Sequence, residues 1–254
     1  MLGAFFDDSG THASAHTVVM GGLLSTEDQW DVFAEEWNGL LASPLPGKPP
    51  LSRFHLSQCR AGAEEFRDYS RAERDRITYL FRHVILDVEL VTIAVAVNKI
   101  AWDELVVDEV ADELGDPIGY CVVRCIELLL NTIRFRKPGE KVCLFFDEGV
   151  REKLEPWRQL YGLRADRHPE IDGFIFAPVP KVVALQGADM IATETYQYNL
   201  KWQEDRENAP ANANAHFRDY LRRDLSVGTV LDRENIVELV KSVRDYLAQR
   251  ANHG

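Results

Sequence analysis

The sequence predicts an α/β domain with a five-stranded mixed sheet, three antiparallel strands followed by two parallel ones, flanked by helices. Short apolar runs bounded by turn residues alternate with longer segments of helical periodicity, as in α/β folds. The link between the first two runs is too short for a crossover, so these two strands form an antiparallel hairpin. A right-handed crossover between the third and fourth runs places the fourth strand beside the first and parallel to it.

The chain has 254 residues, 46% of them hydrophobic, which is enough for one sizeable core. We therefore assign residues 1–254 to one domain, with helical insertions at about 26–87 and a C-terminal helical extension at about 215–250. The expected strands are 2–8, 17–24, 89–98, 141–146 and 173–179. The expected helices are about 26–42, 70–87, 100–113, 118–135, 151–163, 183–203, 215–224 and 233–249.

Glycine and proline mark special positions in two of these strands. Gly21 and Gly22 lie inside the second strand, which predicts a bulge or the close approach of another backbone. Pro178 cannot donate to a ladder, so the fifth strand is expected at an edge of the sheet or to end there.

Composition limits the classes of function. The net charge of −12 argues against a broad basic face for non-specific nucleic-acid binding, although it leaves room for a local basic groove. No apolar run is long enough to span a membrane, and the N-terminus lacks a signal-peptide pattern, so a cytoplasmic protein is expected. The four cysteines lack the spacing of a zinc site, and Cys121 and Cys125, one helical turn apart in an apolar run, are expected to be buried packing residues.

Two strands end in the same way, with paired aromatic residues followed by two acids and a glycine. Asp7 and Asp8 follow the first apolar run, and Asp147 and Glu148 follow the fourth. One such ending is usually only a turn. Because the two strands are expected to be parallel neighbours, however, Asp7 and Asp147 should face each other at the edge where sites form in open α/β sheets.

A third acid, Asp189, lies on the apolar side of the helix expected at 183–203. A buried carboxylate needs a partner, which is either a basic residue of a structural salt bridge or a metal ion. Hard carboxylate oxygens suit Mg²⁺ or Mn²⁺, and such an ion can activate water for phosphodiester hydrolysis. We therefore predict a metal site formed by Asp7, Asp147 and Asp189, with Asp8 and Glu148 as secondary ligands.

Several further residues are candidates for supporting roles. Gln186 and Thr193 flank Asp189 on its helix and are expected to support the site or to contact substrate, as is Ser9. His55 is either a general acid or base or a surface histidine. Glu194 and the arginine-rich face of residues 60–82 are expected to be solvated.

These motifs together resemble the RNase H-like superfamily, and within it the family called domain of unknown function 3800. That family typically opens with an apolar strand ending in Asp-Glu-Ser-Gly, and Asp8 replaces its glutamate here. Its later Leu-Gln-x-Ala-Asp motif is intact at residues 185–189, and His55 matches its early histidine. The resemblance implies an RNase H-like fold and a nuclease-like metal site with DNA or RNA as the substrate.

Two other functions stay open. The first is a non-catalytic interaction module on the same fold, which the acidic composition favours. The second is a haloacid dehalogenase-type phosphatase, whose Asp-x-Asp-x-Thr opening is similar to residues 7–11. Ser9 replaces the second aspartate of that motif, and that fold has a helix where a hairpin partner is expected here.

Overall fold

The structure is a computed structural model that describes residues 1–150, 168–204, 220 and 225–252. Strands in these ranges are β1 (Leu2–Ser9), β2 (Thr17–Thr26), β3 (Val91–Asn98), β4 (Val142–Asp147), β5 (Ile171–Ala177) and β6 (Ser226–Leu231). The helices are α1 (Glu27–Ala42), α2 (Leu56–Ala61), α3 (Arg71–Asp87), α4 (Lys99–Leu105), α5 (Asp108–Leu114), α6 (Pro117–Arg136), α7 (Val183–Glu204) and α8 (Arg233–Ala251). Short 3-10 turns occur at Glu64–Phe66, Glu148–Val150 and Val179–Lys181.

The strands described form one mixed sheet in the order β5-β4-β1-β2-β3-β6. β1 pairs antiparallel with β2, and β2 pairs antiparallel with β3. β4 lies parallel to β1, and β5 lies parallel to β4. This confirms the predicted mixed α/β sheet and the parallel pairing of the first and fourth strands. It also confirms the hairpin after β1, which counts against the phosphatase fold.

The predicted number of strands was wrong, because β6 pairs in parallel with the free edge of β3. β6 falls inside the C-terminal segment that we expected to be helical. It is a six-residue edge strand interrupted by Gly228, and its pairing with β3 spans more than 120 residues of chain, so local periodicity does not reveal it. Assignment of residues 1–254 to a single domain stays a prediction.

Most predicted helices agree with the structure, with two differences. The helix expected at 100–113 is two helices, α4 and α5, which are separated at residues 106–107. α2 lies in a segment that we did not predict to be helical. The helices expected at about 151–163 and 215–224 lie outside the described residues, apart from Tyr220.

The sheet separates two apolar cores. Alternate residues of β1 point to opposite faces, so Phe6 packs towards α6 and Phe5 packs towards α1 and α7. On the α7 face, Phe5 stacks on Phe145 of β4 with ring centroids 4.4 Å apart. On the α6 face, Phe6 stacks on Phe146 at 5.3 Å. The pairing of β1 with β4 therefore also fixes which face the residues after these aromatic pairs share.

α7 lies against the backbone of the sheet at Gly21. A Cβ atom on Gly21 would lie 2.5 Å from the backbone nitrogen of Ala192. Gly21 is the register partner of Asp7. The predicted close approach is therefore confirmed, and it brings the middle of α7 next to the end of β1.

Three of the four cysteines are buried, Cys121 and Cys125 as expected, and Cys143 is partly exposed. Among the helices described, none combines the length and the apolar character needed to cross a bilayer.

We predict that Gly21→Ala destabilises the protein by about 1–3 kcal/mol, because the added methyl group overlaps the α7 backbone. Gly39→Ala is the matched control, since no atom lies within 4 Å of a Cβ at that helical position. It should stabilise the protein by about 0.5–1 kcal/mol through helix propensity. Urea unfolding measures both changes. Equal stability of Gly21→Ala and wild type would contradict the close packing of α7 on β2.

Candidate functional site

Asp7 and Asp147 end adjacent parallel strands on the same face of the sheet. The register between β1 and β4 runs as far as Phe6 opposite Phe146, one residue before each acid. Alternation along the strands then places both acids on the face that Phe5 and Phe145 occupy, which is the α7 face. The sheet thus brings these two predicted site residues side by side.

Asp189 reaches the same place from α7. Its side chain is buried, and its Oδ1 lies 3.5 Å from Nε2 of His55. Thr193, one helical turn later, donates from Oγ1 to Asp189 Oδ1 at 3.5 Å. The backbone N–H of Leu56 donates to Asp189 Oδ2 at 3.4 Å. All three contacts are long, so none of them is a tight hydrogen bond or ion pair.

The three acids affect one another electrostatically. Burial raises the pKa of Asp7 well above its ordinary value, and the charges of Asp189, Asp8 and Asp147 raise it further. Burial also raises the pKa of Asp189, although His55, the Leu56 N–H, Thr193 and Arg53 oppose this shift. Desolvation favours the neutral carboxyl group in both cases, and at Asp7 the neighbouring negative charges add to this effect. The end of β1 is therefore a buried position that favours a positive charge.

Asp147 is less buried and is bound by backbone groups. Its Oδ2 accepts from Gly149 N at 2.9 Å, and its Oδ1 accepts from Val179 N at 3.3 Å. The second contact fixes the turn after β5 against the end of β4. Its carboxylate therefore faces the sheet edge with both oxygens hydrogen-bonded locally.

The secondary site residues are distributed unevenly. Asp8 follows Asp7 on β1 and therefore points to the opposite, α6 face, and Glu148 is exposed in a turn. Their placement gives no support to the ligand roles that we assigned to them. Ser9 lies two residues after Asp7, on the α7 face and half-buried.

No ready-made ligand shell is present in the part of the chain that is described. Within it, no three histidine, cysteine or acidic side chains are placed to hold a metal ion together. No lysine or arginine described here forms an ion pair with Asp7, Asp147 or Asp189 either. The geometry thus brings the predicted acids into electrostatic range of one another without neutralising them.

Gln186 holds the segment that carries His55. It is fully buried, and its Oε1 accepts from Trp37 Nε1 at 3.0 Å and from Phe54 N at 2.9 Å. The next residue, His55, is thereby fixed over Asp189, and its Nδ1 lies 3.2 Å from Ser57 Oγ. Gln186 is therefore a structural support in this geometry, and it is too buried to contact substrate directly.

The prediction that Glu194 is solvated was wrong. Glu194 is buried on α7 and binds Arg82 of α3, with Nε of Arg82 3.4 Å from Oε2, and Nη2 of Arg60 lies 3.3 Å from Oε1. Arg82 is itself buried, so the arginine-rich segment 60–82 is not entirely solvated. Sequence periodicity could not show this, because α2 and α3 cover this side of α7 only in the folded chain.

No family model matches this chain, and no curated protein matches it. Two solved structures are weakly similar. The PCNA:RNase HII complex from Archaeoglobus fulgidus matches at 12% identity over 87% of each chain, with a TM-score of 0.40. Bst-RNase HIII in complex with Mn²⁺ matches at 11% identity over 95% of this chain and 71% of the other, with a TM-score of 0.43. Likenesses of this size carry no conclusion about function.

We predict that Asp7→Asn stabilises the metal-free protein at pH 7 by about 1–3 kcal/mol, since it removes an unpaired buried charge. The folded-state pKa of Asp7 lies above its ordinary value of 3.8, so folding favours the protonated form. The contribution of Asp7 to stability is therefore full below pH 3.8 and is lost as the pH rises through its raised folded-state pKa.

The measurement is urea unfolding of both proteins in EDTA from pH 4 to pH 8. The advantage of Asp7→Asn should shrink steadily as the pH is lowered. Asp112→Asn, at an exposed position of α5, is the matched control and should show no such trend. A difference that is independent of pH would contradict the assigned environment of Asp7.

Proposed function

We propose that this protein is a metal-dependent nuclease with an RNase H-like fold, acting on DNA or RNA. The observation that carries the proposal is that Asp7 lies buried within electrostatic range of Asp147, on the adjacent parallel strand, and of the buried Asp189 of α7, while no lysine or arginine in the described chain forms an ion pair with these three acids. The order β5-β4-β1-β2-β3 supports it, because it is the arrangement that the sequence resemblance implies. β6 is an addition to that core.

Two acids of α7, Glu194 and Asp189, have different neighbours. This difference favours a metal ligand over a structural salt bridge as the role of Asp189. Glu194 has two arginines, which is how this chain neutralises a buried structural carboxylate. Asp189 lies five residues earlier on the same helix and has instead a histidine, a hydroxyl group and a backbone N–H. These neighbours orient the Asp189 carboxylate, and none of them is a lysine or arginine bound to it as at Glu194, which leaves it available to a cation.

Asp7, Asp147 and Asp189 fit a hard divalent ion by their chemistry, because carboxylate oxygens are the ligands that Mg²⁺ and Mn²⁺ prefer. When bound, such an ion activates water and neutralises charge on a phosphate. Thr193 would hold Asp189 in place through its hydroxyl hydrogen bond. His55, which is partly exposed beside Asp189, would hold or transfer a proton at Nε2.

One observation favours a second candidate, the non-catalytic interaction module. In the described ranges the acids do not form a complete ligand set, so the same fold could persist without metal chemistry. The two candidates differ in whether the protein binds a divalent ion at Asp7 and Asp189.

We predict that wild-type protein binds Mn²⁺ and that Asp7→Asn and Asp189→Asn each weaken this binding by about 100-fold or more, because each removes a charged ligand. Isothermal titration calorimetry measures the affinities. Asp112→Asn removes an equal charge from an exposed position of α5, which packs on the opposite, α6 side of the sheet, and should bind Mn²⁺ like the wild type. No heat of binding with the wild type, or unchanged binding by Asp7→Asn, would favour the interaction module.

We also predict that the wild type cleaves labelled oligonucleotides in Mn²⁺ or Mg²⁺ and that EDTA abolishes cleavage. Asp7→Asn should lower the rate by about 100-fold or more, since it removes the proposed ligand. Gel electrophoresis of single- and double-stranded DNA and RNA measures the products. Release of phosphate from small phosphomonoesters, without cleavage of any oligonucleotide, would contradict the nuclease and favour a phosphatase.

A further inference from the structure

Two arginines stand on the segment that covers Asp189. Arg53 precedes the Phe54–His55 pair, and Arg60 lies near the end of α2. Both side chains are partly exposed, whereas the acids below them are buried. The chain as a whole carries a net charge of −12, so a local pair of guanidinium groups at an acidic site is unusual for its surface.

Arg53 lies next to the residues that cover Asp189. His55 and Leu56, two and three residues later in the chain, both contact the Asp189 carboxylate. The Nη2 group of Arg53 donates a long hydrogen bond to Oε1 of Gln58, at 3.5 Å. The backbone beside it is fixed, since Phe54 N is bound by Gln186. The backbone beside Arg53 is therefore fixed, whereas its guanidinium group is weakly held.

Arg60 is held more firmly. Its Nη2 lies 3.3 Å from Glu194 Oε1, and its Nη1 donates to Gln197, so its guanidinium is anchored on α7. Glu194 also binds the buried Arg82, so that a single carboxylate serves both guanidinium groups. Arg60 thus presents a fixed, partly exposed cation on the same side of α7 as the covering segment.

A nucleic-acid strand approaching Asp7 and Asp189 meets strong repulsion, because both partners are negative. A metal ion offsets the repulsion at one phosphate only. Neighbouring phosphates need further cations, and guanidinium groups suit them because they donate several hydrogen bonds in a planar fork. The segment that carries Arg53 and Arg60 supplies such groups beside the acids.

We propose that Arg53 and Arg60 form a phosphate-binding rim, which holds the backbone of the substrate strand next to the scissile phosphate. This inference rests on the proposed nuclease function and identifies the residues that bind its substrate. Arg53 contributes an adjustable contact, and Arg60 contributes a fixed one.

The test is the salt dependence of oligonucleotide affinity, measured by fluorescence anisotropy in EDTA, where cleavage cannot occur. Loss of one phosphate contact lowers the slope of log K against log salt by about 1. Arg53→Gln should therefore weaken binding and reduce this slope, and Arg53→Lys should restore most of it. In Mn²⁺, Arg53→Gln should raise KM for cleavage several-fold and leave kcat nearly unchanged.

The matched control is Arg244→Gln, an exposed position of α8, which packs against the α6 side of the sheet. It removes the same charge and should leave the slope and KM unchanged. An unaltered slope in Arg53→Gln, or an equal effect of Arg244→Gln, would overturn the rim. If the wild type still cleaves oligonucleotides, the proposed nuclease function is unaffected by that result. Binding with the expected slopes but without cleavage would support the rim and overturn the nuclease. Failure of the wild type to bind any oligonucleotide in EDTA, together with failure to cleave any in Mn²⁺, would overturn both.

Discussion

The packing of α7 across β1 and β2 is the constraint on which the candidate site depends. Side chains normally keep the backbone of a helix apart from the backbone of the sheet on which it packs. Here Gly21 removes the side chain opposite Ala192, and the helix backbone reaches the strand. Asp7 is the register neighbour of Gly21, and Asp189 is one turn before Ala192, so the same contact brings the two acids towards each other.

That arrangement is electrostatically unfavourable on its own. Asp7 and Asp189 are both desolvated, and the pKa of each is raised. The surrounding contacts orient the carboxylates rather than neutralise them: a backbone N–H, a hydroxyl group and a histidine on Asp189, and the N–H of Asp8 on Asp7. A protein can retain such a cluster when a bound cation offsets its cost, and perturbed acids of this kind concentrate at functional sites.

One set of contacts around α2 both stabilises the layer that covers α7 and positions residues next to the acids. Gln186 fixes the backbone at Phe54, and the buried pair of Arg82 and Glu194 ties α3 to α7. These contacts stabilise the covering layer, and they also set where His55, Arg53 and Arg60 stand relative to the acids. Removing a partner from the buried ion pair would therefore disturb both stability and the site, because it would leave an uncompensated charge.

The sequence alone determined the mixed sheet, the pairing of β1 with β4 and the face of α7 that carries Asp189. These features follow from local periodicity and from the handedness of crossovers. The nearness of Asp7 to Asp147 and to Asp189 was also foreseeable, because each of these acids ends or interrupts an apolar pattern. Only the tertiary structure decided that β6 extends the sheet and that Glu194 is buried between α7 and the arginines of α2 and α3. Each of these depends on which segment covers which surface, and long-range packing of that kind leaves no local trace in the chain.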